Sequence, residues 1–216
     1  TASPTTGYEV DSWTGATATP PNNTTATLTV TANTTVTVSF RQKTYTVNYS
    51  VAGGQGKIQA NSDAPTTSSS VSVAHNGSVT FTAHPDNGWE VDSWTGATAT
   101  PPNTTATLSG VTGDKTVTVK FKKTYTVTFK VDGGHGSLKG EYNGSDKTEA
   151  GGGQETFTVL DGGSVTFTAQ PSARYAVRSW TVSPGNFTSG GTGSETMATL
   201  SNITENKTVT VTFFEN

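Results

Sequence analysis

The sequence contains no cysteine, which excludes a disulfide framework and any thiolate metal site. It also argues against a small secreted eukaryotic module. Charge is sparse: 13% of residues are charged, the net charge is −3, and no basic run is longer than Lys122-Lys123. Proteins that grip nucleic acid need clustered cations to neutralise phosphates, so that class of partner is excluded. Apolar residues are few as well, at 31%. No apolar run approaches the roughly 18 residues of a membrane span. No signal peptide stands at the start, though a fragment would have lost one.

What is present is repetition. The stretch GSVTFTAHPDNGWEVDSWTG at Gly77–Gly96 returns as GSVTFTAQPSARYAVRSWT at Gly163–Thr181, and its second half stands at Thr1–Gly15. Such self-similarity marks a tandem repeat. Three segments follow: 1–43, the later part of a module; 44–123, a complete module; and 124–216, a complete module with longer loops. A unit of roughly 80–90 residues is near the size where one core only just suffices. Thr1-Ala2 aligns with Thr82-Ala83, so the chain opens partway through a strand. Either the chain is a piece of a longer repeat protein or a neighbouring subunit supplies the missing strands. The first is the expectation, because TVTVTFFEN completes the last module with no strand to spare.

Along the complete module, Tyr45, Val47, Tyr49 and Val51 alternate with polar residues, the period of a half-buried strand. Gly53-Gly54-Gln55-Gly56 reads as a turn and Lys57–Ala60 as the return strand. Asn61–Ser70 is Ser/Thr-rich, has no helical period and reads as loop. Val71 and Val73 mark a short strand, then Val79, Phe81 and Ala83 another. Trp89 and Val91 share a face while Trp94 falls on the opposite parity, so a bulge near Asp92-Ser93 is expected. Val117, Val119 and Phe121 close the module. The last module repeats this from Thr124 to the closing Val209, Val211 and Phe213, with Gly-rich loops at Gly151–Gly153 and Pro184–Ser194. The fold class is therefore all-β: tandem small sheets, β-grasp-like or Ig-like sandwiches with little or no helix, arranged as a rod.

This pattern resembles the divergent branch of the internalin B-repeat, a family of bacterial and archaeal surface repeats. The matching residues are Gly53-Gly54-x-Gly56, Gly77-x-Val79-x-Phe81-x-Ala83-x-Pro85, Gly88-Trp89-x-Val91-x-x-Trp94 and Val117-x-Val119-x-Phe121. The last module carries them as Gly133, Gly134, Gly136, Gly163, Val165, Phe167, Ala169, Pro171, Tyr175, Val177, Trp180, Val209, Val211 and Phe213. It departs at Arg174, where the pattern has glycine, and at Arg178 in place of Asp92. The resemblance implies an extracellular, non-enzymatic repeat of β-grasp-like topology, although Asn61–Ser70 does not read as a grasp's helix.

Candidate chemistry is thin. Trp13, Trp94 and Trp180 recur at one position and Tyr8, Trp89 and Tyr175 at another. Both sets suit core filling, where such rings bury roughly 150–250 Å² each. The second set also suits ligand stacking, as a sugar platform. His84 is replaced by Ser3 and Gln170, and His135 by Gln55, so neither is a repeated metal ligand; His75 reads as an exposed loop residue. Asp11 and Asp92 become Arg178, which no shared carboxylate chemistry tolerates. No nucleophile–base set or phosphate loop appears, and the Gly-Gly-x-Gly turns lack the following helix an anion site needs. Neither a cofactor nor catalysis is expected. Threonine, about a fifth of the chain, lies mostly on the polar parity of strands, where β-branched residues are favoured. An ice-binding ladder would want a flat, unbroken array.

Asparagine carries the least expected signal. Ten begin Asn-x-Ser/Thr: Asn22, Asn23, Asn33, Asn48, Asn76, Asn103, Asn143, Asn186, Asn202 and Asn206. Chance predicts roughly four of these N-glycosylation acceptors, and all ten map to loops or outward strand positions where a glycan has room. Asparagine before a Thr-rich strand is also ordinary turn chemistry. The expectation is a structural stalk or fibre component at the cell surface, contacting copies of itself or neighbouring repeats, with no membrane insertion in this segment. An adhesin or carbohydrate-binding module contacting surface glycans or proteins is the alternative.

Overall fold

Strand follows strand because short apolar/threonine alternations are punctuated by Asn-Gly, Pro and Gly turns. The computed structural model describes residues 1–20 and 23–216, and no helix occurs among them. The chain divides into two compact units, Thr1–Pro85 with Ser93–Phe121, and Asp86–Asp92 with Lys122–Asn216.

In chain order the strands up to the second unit are β1 (Tyr8–Thr14), β2 (Thr17–Thr19), β3 (Thr25–Thr27), β4 (Thr37–Gln42), β5 (Thr44–Gly53), β6 (Gly56–Ala60), β7 (Ser68–Ala74), β8 (Gly77–Pro85), β9 (Trp89–Thr95), β10 (Thr98–Thr100), β11 (Thr105–Val111) and β12 (Lys115–Asp132). Within the first unit, β5 pairs antiparallel with β7 and parallel with the start of β12. Opposite this lies an antiparallel sheet in the order β10-β11-β8-β6. Val47, Tyr49, Ile58, Phe81, Val117, Val119 and Phe121 are buried between the two layers, with the Tyr49 and Phe81 rings 5.5 Å apart. Full burial of one such phenylalanine contributes about 1.5–3 kcal/mol, so a few rings dominate so thin a core. Two smaller pairings, β1 with β4 and β2 with β3, belong to the same unit.

The second unit adds β13 (Gly136–Tyr142), β14 (Ser145–Glu149), β15 (Glu155–Leu160), β16 (Gly163–Pro171), β17 (Tyr175–Ser183), β18 (Ser189–Gly190), β19 (Met197–Ile203) and β20 (Lys207–Glu215). The later part of β12 pairs antiparallel with β15 and parallel with β20, and β20 pairs antiparallel with β17. The facing sheet runs β14-β13-β16-β19-β18. Phe129 sits at the centre of the core, 5.6 Å from the rings of both Phe157 and Phe167.

Three local expectations meet the structure. The register shift falls between Val10 and Ser12 in β1, and between Val177 and Ser179 in β17, so the extra residues are Asp11 and Arg178, the positions matching Asp92. The loop read at 61–70 is shorter than its composition suggests, because Ser68–Ser70 already pair with Ser50–Asn48. Serine is a weak strand former, but the backbone ladder outweighs propensity on an exposed edge. No grasp-fold helix stands at this stretch: residues 61–67 run as turn and irregular chain, and β7 begins at Ser68.

Candidate functional site

The aromatic sets are positioned by the β-bulge and by the hairpin loop that follows. In β1 and β17 the bulge turns Trp13 and Trp180 toward their own loops, and Trp94 meets its loop in the same way. Each indole Nε1 donates to a main-chain carbonyl at 2.8 Å: Trp13 to Asn23, Trp94 to Asn103, Trp180 to Glu195. Asn23 and Asn103 adopt positive φ, which asparagine tolerates better than most residues. Trp180 is buried, and Trp13 and Trp94 are half-buried. In the last module Phe187 meets Trp180 edge-on at 5.8 Å, where the corresponding loops of the other copies carry no aromatic residue in sequence.

The members of the second set differ in exposure. Tyr8 is 43% exposed and borders a polar cleft with Pro4, Asn23 and Arg41, where Arg41 pairs with Glu9 at 2.8 Å and Asp11 at 3.7 Å. Trp89 and Tyr175 are half-buried. One face of Tyr175 is covered by His135, stacked at 4.2 Å with the rings 4° from parallel. The other histidines hold side-chain partners, His84 with Gln59 at 2.7 Å and His75 with Tyr45 at 3.3 Å. Among the described residues no three His, Asp or Glu side chains gather as a metal would require.

Of the sequon asparagines, Asn22 lies outside the described residues. Asn23, Asn33, Asn48, Asn76, Asn103, Asn143, Asn186, Asn202 and Asn206 are all exposed. Five of them, Asn23, Asn76, Asn103, Asn143 and Asn202, have positive φ, so turn geometry accounts for asparagine there. Asn206 has a further task, its Oδ1 accepting the Thr126 N–H at 2.9 Å. Asp114 does the same for Thr46 at 2.8 Å. Both stand one residue before a closing strand and tie it to the strand that opens the module, a spacing legible once the copies are aligned.

Glu149 escaped the sequence reading. It is the buried charged residue among those described, and its carboxylate accepts from the backbone N–H groups of Val131 (2.9 Å), Gly151 (2.7 Å) and Gly153 (3.1 Å). These bonds close the Gly-rich loop over the end of β12, a structural task that leaves no oxygen directed at a ligand.

A model of the divergent InlB B-repeat domain matches residues 1–44 and 45–125. The chain belongs to this family. Several solved structures resemble the B-repeat chain at low identity. The major pilin T-13 of Streptococcus pyogenes is 14% identical, with 81% of this chain and 97% of that one covered and a TM-score of 0.28. The T3.2 major pilin of the same species is 9% identical over 80% and 98%, with a TM-score of 0.26. The shaft pilin SpaA of Lactobacillus rhamnosus GG, as an E269A/D295N double mutant, is 10% identical over 78% and 98%, with a TM-score of 0.21. No curated protein matches the B-repeat chain.

Proposed function

We propose that this B-repeat chain is a non-catalytic, extracellular structural protein whose modules act in series in a cell-surface stalk or fibre. The observation that carries this reading is the parallel pairing of opening and closing strands. In the first complete module six positions of β5 pair with β12, from Val47 with Lys115 to Gly53 with Lys120. In the last module six positions of β12 pair with β20, from Val127 with Lys207 to Asp132 with Thr212. Tension applied at the two ends of such a module shears these hydrogen bonds together instead of unzipping them singly. Resistance to force is a matter of unfolding rate, and a ladder loaded in shear slows that rate. Single-molecule stretching of the chain should show discrete unfolding events whose force falls when Val211→Pro removes a ladder donor. Featureless extension of the unmodified chain would defeat the reading.

N-glycosylation of the exposed sequons belongs to the same proposal, since glycans would keep a polar surface hydrated. Protein from its native source should have a mass above the bare 22.3 kDa; an unmodified mass would remove the glycans. The exposure of Tyr8 beside Arg41 supports a second reading, an adhesin or carbohydrate-binding module using Tyr8, Trp89 and Tyr175. Glycan-array binding lost in Tyr8→Ala would favour it over the mechanical role.

A further inference from the structure

The last module of the B-repeat chain carries a cleft of about 440 Å³ beside the loop that joins β17 to β19. Volumes of this order hold small ligands. Phe187 and Trp180 line it together, their rings meeting edge-on at 5.8 Å. Trp180 is buried and Phe187 half-buried, so Phe187 offers the ring surface and Trp180 backs it. The counterpart loops 15–24 and 96–104 have neither an aromatic residue nor this length.

A loop of glycine, serine and threonine is ordinarily loose, yet this one is pinned along its length. At its start Lys207 Nζ donates to the Pro184 carbonyl at 2.8 Å. In its middle the Thr188 N–H donates to Thr199 at 2.8 Å and the Gly191 N–H to Met197 at 3.0 Å. At its end the Glu195 carboxylate accepts from Thr192, and the Glu195 carbonyl from the Trp180 indole. Gly191 has a φ of +72°, and an added Cβ would lie 2.5 Å from Phe187 Cδ2, so only glycine lets the chain pass this close to the ring. A lining held in place beforehand lowers the ordering cost of binding.

The other lining groups define what fits. Asn186, Thr181 and Thr192 are exposed along the cleft. Thr192 gives its hydroxyl hydrogen to Glu195 and keeps acceptor lone pairs. Among the described residues no charged side chain lines the cleft, and the nearby Lys207 and Glu195 are engaged with Glu205 and Thr192. An anion would find no free cation there, and a wholly apolar ligand would strip water from the amide and hydroxyls without replacing it. A sugar ring combines a C–H face, which suits an aromatic platform, with hydroxyls that exchange hydrogen bonds with amides and hydroxyls. We infer that this cleft is a binding site for a neutral saccharide, seated on Phe187 and hydrogen-bonded to Asn186, Thr181 and Thr192. A free sugar and the first sugars of a glycan on Asn186 itself present the same chemistry. The inference depends neither on the mechanical reading nor on the Tyr8 set.

The test uses the whole chain made in a host without N-glycosylation. It is titrated with neutral trisaccharides of glucose, galactose, mannose and N-acetylglucosamine, and with trigalacturonic acid, while NMR follows the Trp180 indole N–H. At least one neutral probe should shift that signal saturably, and bind more tightly than the acid. Phe187→Leu keeps an apolar side chain against Trp180 but removes the aromatic face, and should weaken binding about tenfold; its urea denaturation midpoint reports that the fold is kept. Asn186→Ala should weaken binding as well, whereas Tyr8→Ala and Tyr175→Ala should not, which separates this site from the second reading above. Natively sourced chain glycosylated at Asn186 distinguishes the two sources: loss of free-sugar binding assigns the cleft to its own glycan, and retained binding assigns it to a sugar from elsewhere. No saturable shift with any neutral probe, tighter binding of the acid, or an affinity that Phe187→Leu leaves unchanged would overturn the inference.

Discussion

The indole of Trp94 is hydrogen-bonded to the carbonyl of Asn103 at 2.8 Å, closing the hairpin that its own strand opens. One such bond contributes about 0.5–1.5 kcal/mol net, and the same bond recurs at Trp13 and Trp180. Trp94→Phe should therefore cost about 1 kcal/mol in urea denaturation. Trp180→Phe should cost about 2 kcal/mol, because the larger ring is buried and also meets Phe187. Equal, negligible losses would show that these rings do not anchor their loops.

Gly136 makes a second point about the core. It is not at positive φ, so its requirement is space: an added Cβ would meet Phe213 at 2.6 Å and the Gln170 carbonyl at 2.8 Å. Gly136→Ala should destabilise the second unit by about 1–3 kcal/mol, the usual cost of overpacking. Gly134→Ala, with nothing within 4 Å but a φ of +74°, should show only the backbone penalty. Comparing the two chemical denaturation midpoints separates crowding from conformation.

The strands were readable from the alternation of Val117, Val119 and Phe121 with polar neighbours, since one face must be dry and period 2 records which. The bulge was readable for the same reason, as the parity error that puts Trp94 on the wrong side. The role of Gly136 was not, because a glycine beside a turn already has a sufficient local explanation. Glu149 was invisible because its partners are main-chain amides, which leave no mark in the sequence. Ser68–Ser70 were missed because their place in β7 is imposed by β5 and not by their own preference. For the candidate site, alignment of the copies separated recurring aromatics from incidental histidines. It left open how exposed Tyr8, Trp89 and Tyr175 are, which depends on packing.

Glu149→Ala removes the acceptor for three backbone N–H groups, one of them on the buried Val131. Leaving a buried donor unpaired costs roughly 1–3 kcal/mol, so a loss of about 3 kcal/mol is expected for the set. Glu149→Gln should recover part of it, since its amide keeps one acceptor oxygen while its NH₂ faces donors. Thermal unfolding measures both; a neutral Glu149→Ala would mean that water replaces the carboxylate.

The exposed loop that seats Trp180 should be acid-sensitive. The backbone N–H of Thr192 and then its hydroxyl donate to Glu195, at 3.0 and 2.8 Å, holding that carboxyl below the ordinary 4.5. A carboxyl depressed in the folded state contributes stability above its unfolded value and loses it as pH falls through the depressed one. The NMR signal of the Trp180 indole N–H should therefore shift in acid below pH 4.5, and Glu195→Gln should remove that titration. An identical titration in Glu195→Gln would assign the effect elsewhere.

Arg174 occupies a glycine's place. Its φ of 70° matches Gly7 at 81° and Gly88 at 79°. Its carbonyl accepts the Asn216 N–H at 2.8 Å, as Gly7 accepts from Lys43 at 2.8 Å and Gly88 from Thr124 at 2.9 Å. The left-handed conformation costs an L-residue about 1–2 kcal/mol, whereas glycine loses about 0.5–1 kcal/mol more chain entropy on folding. Arg174→Gly should thus be neutral or stabilising by up to about 1 kcal/mol. The reverse changes distinguish conformation from space. Gly88 has nothing within 4 Å of an added Cβ, while at Gly7 that atom would fall on the His75 ring. Gly88→Ala should show the conformational cost alone and Gly7→Ala a larger one, which His75→Ala reduces to the Gly88 value. If Gly7→Ala and Gly88→Ala lose the same stability, the His75 ring is free to move aside and the contact imposes no limit on that position.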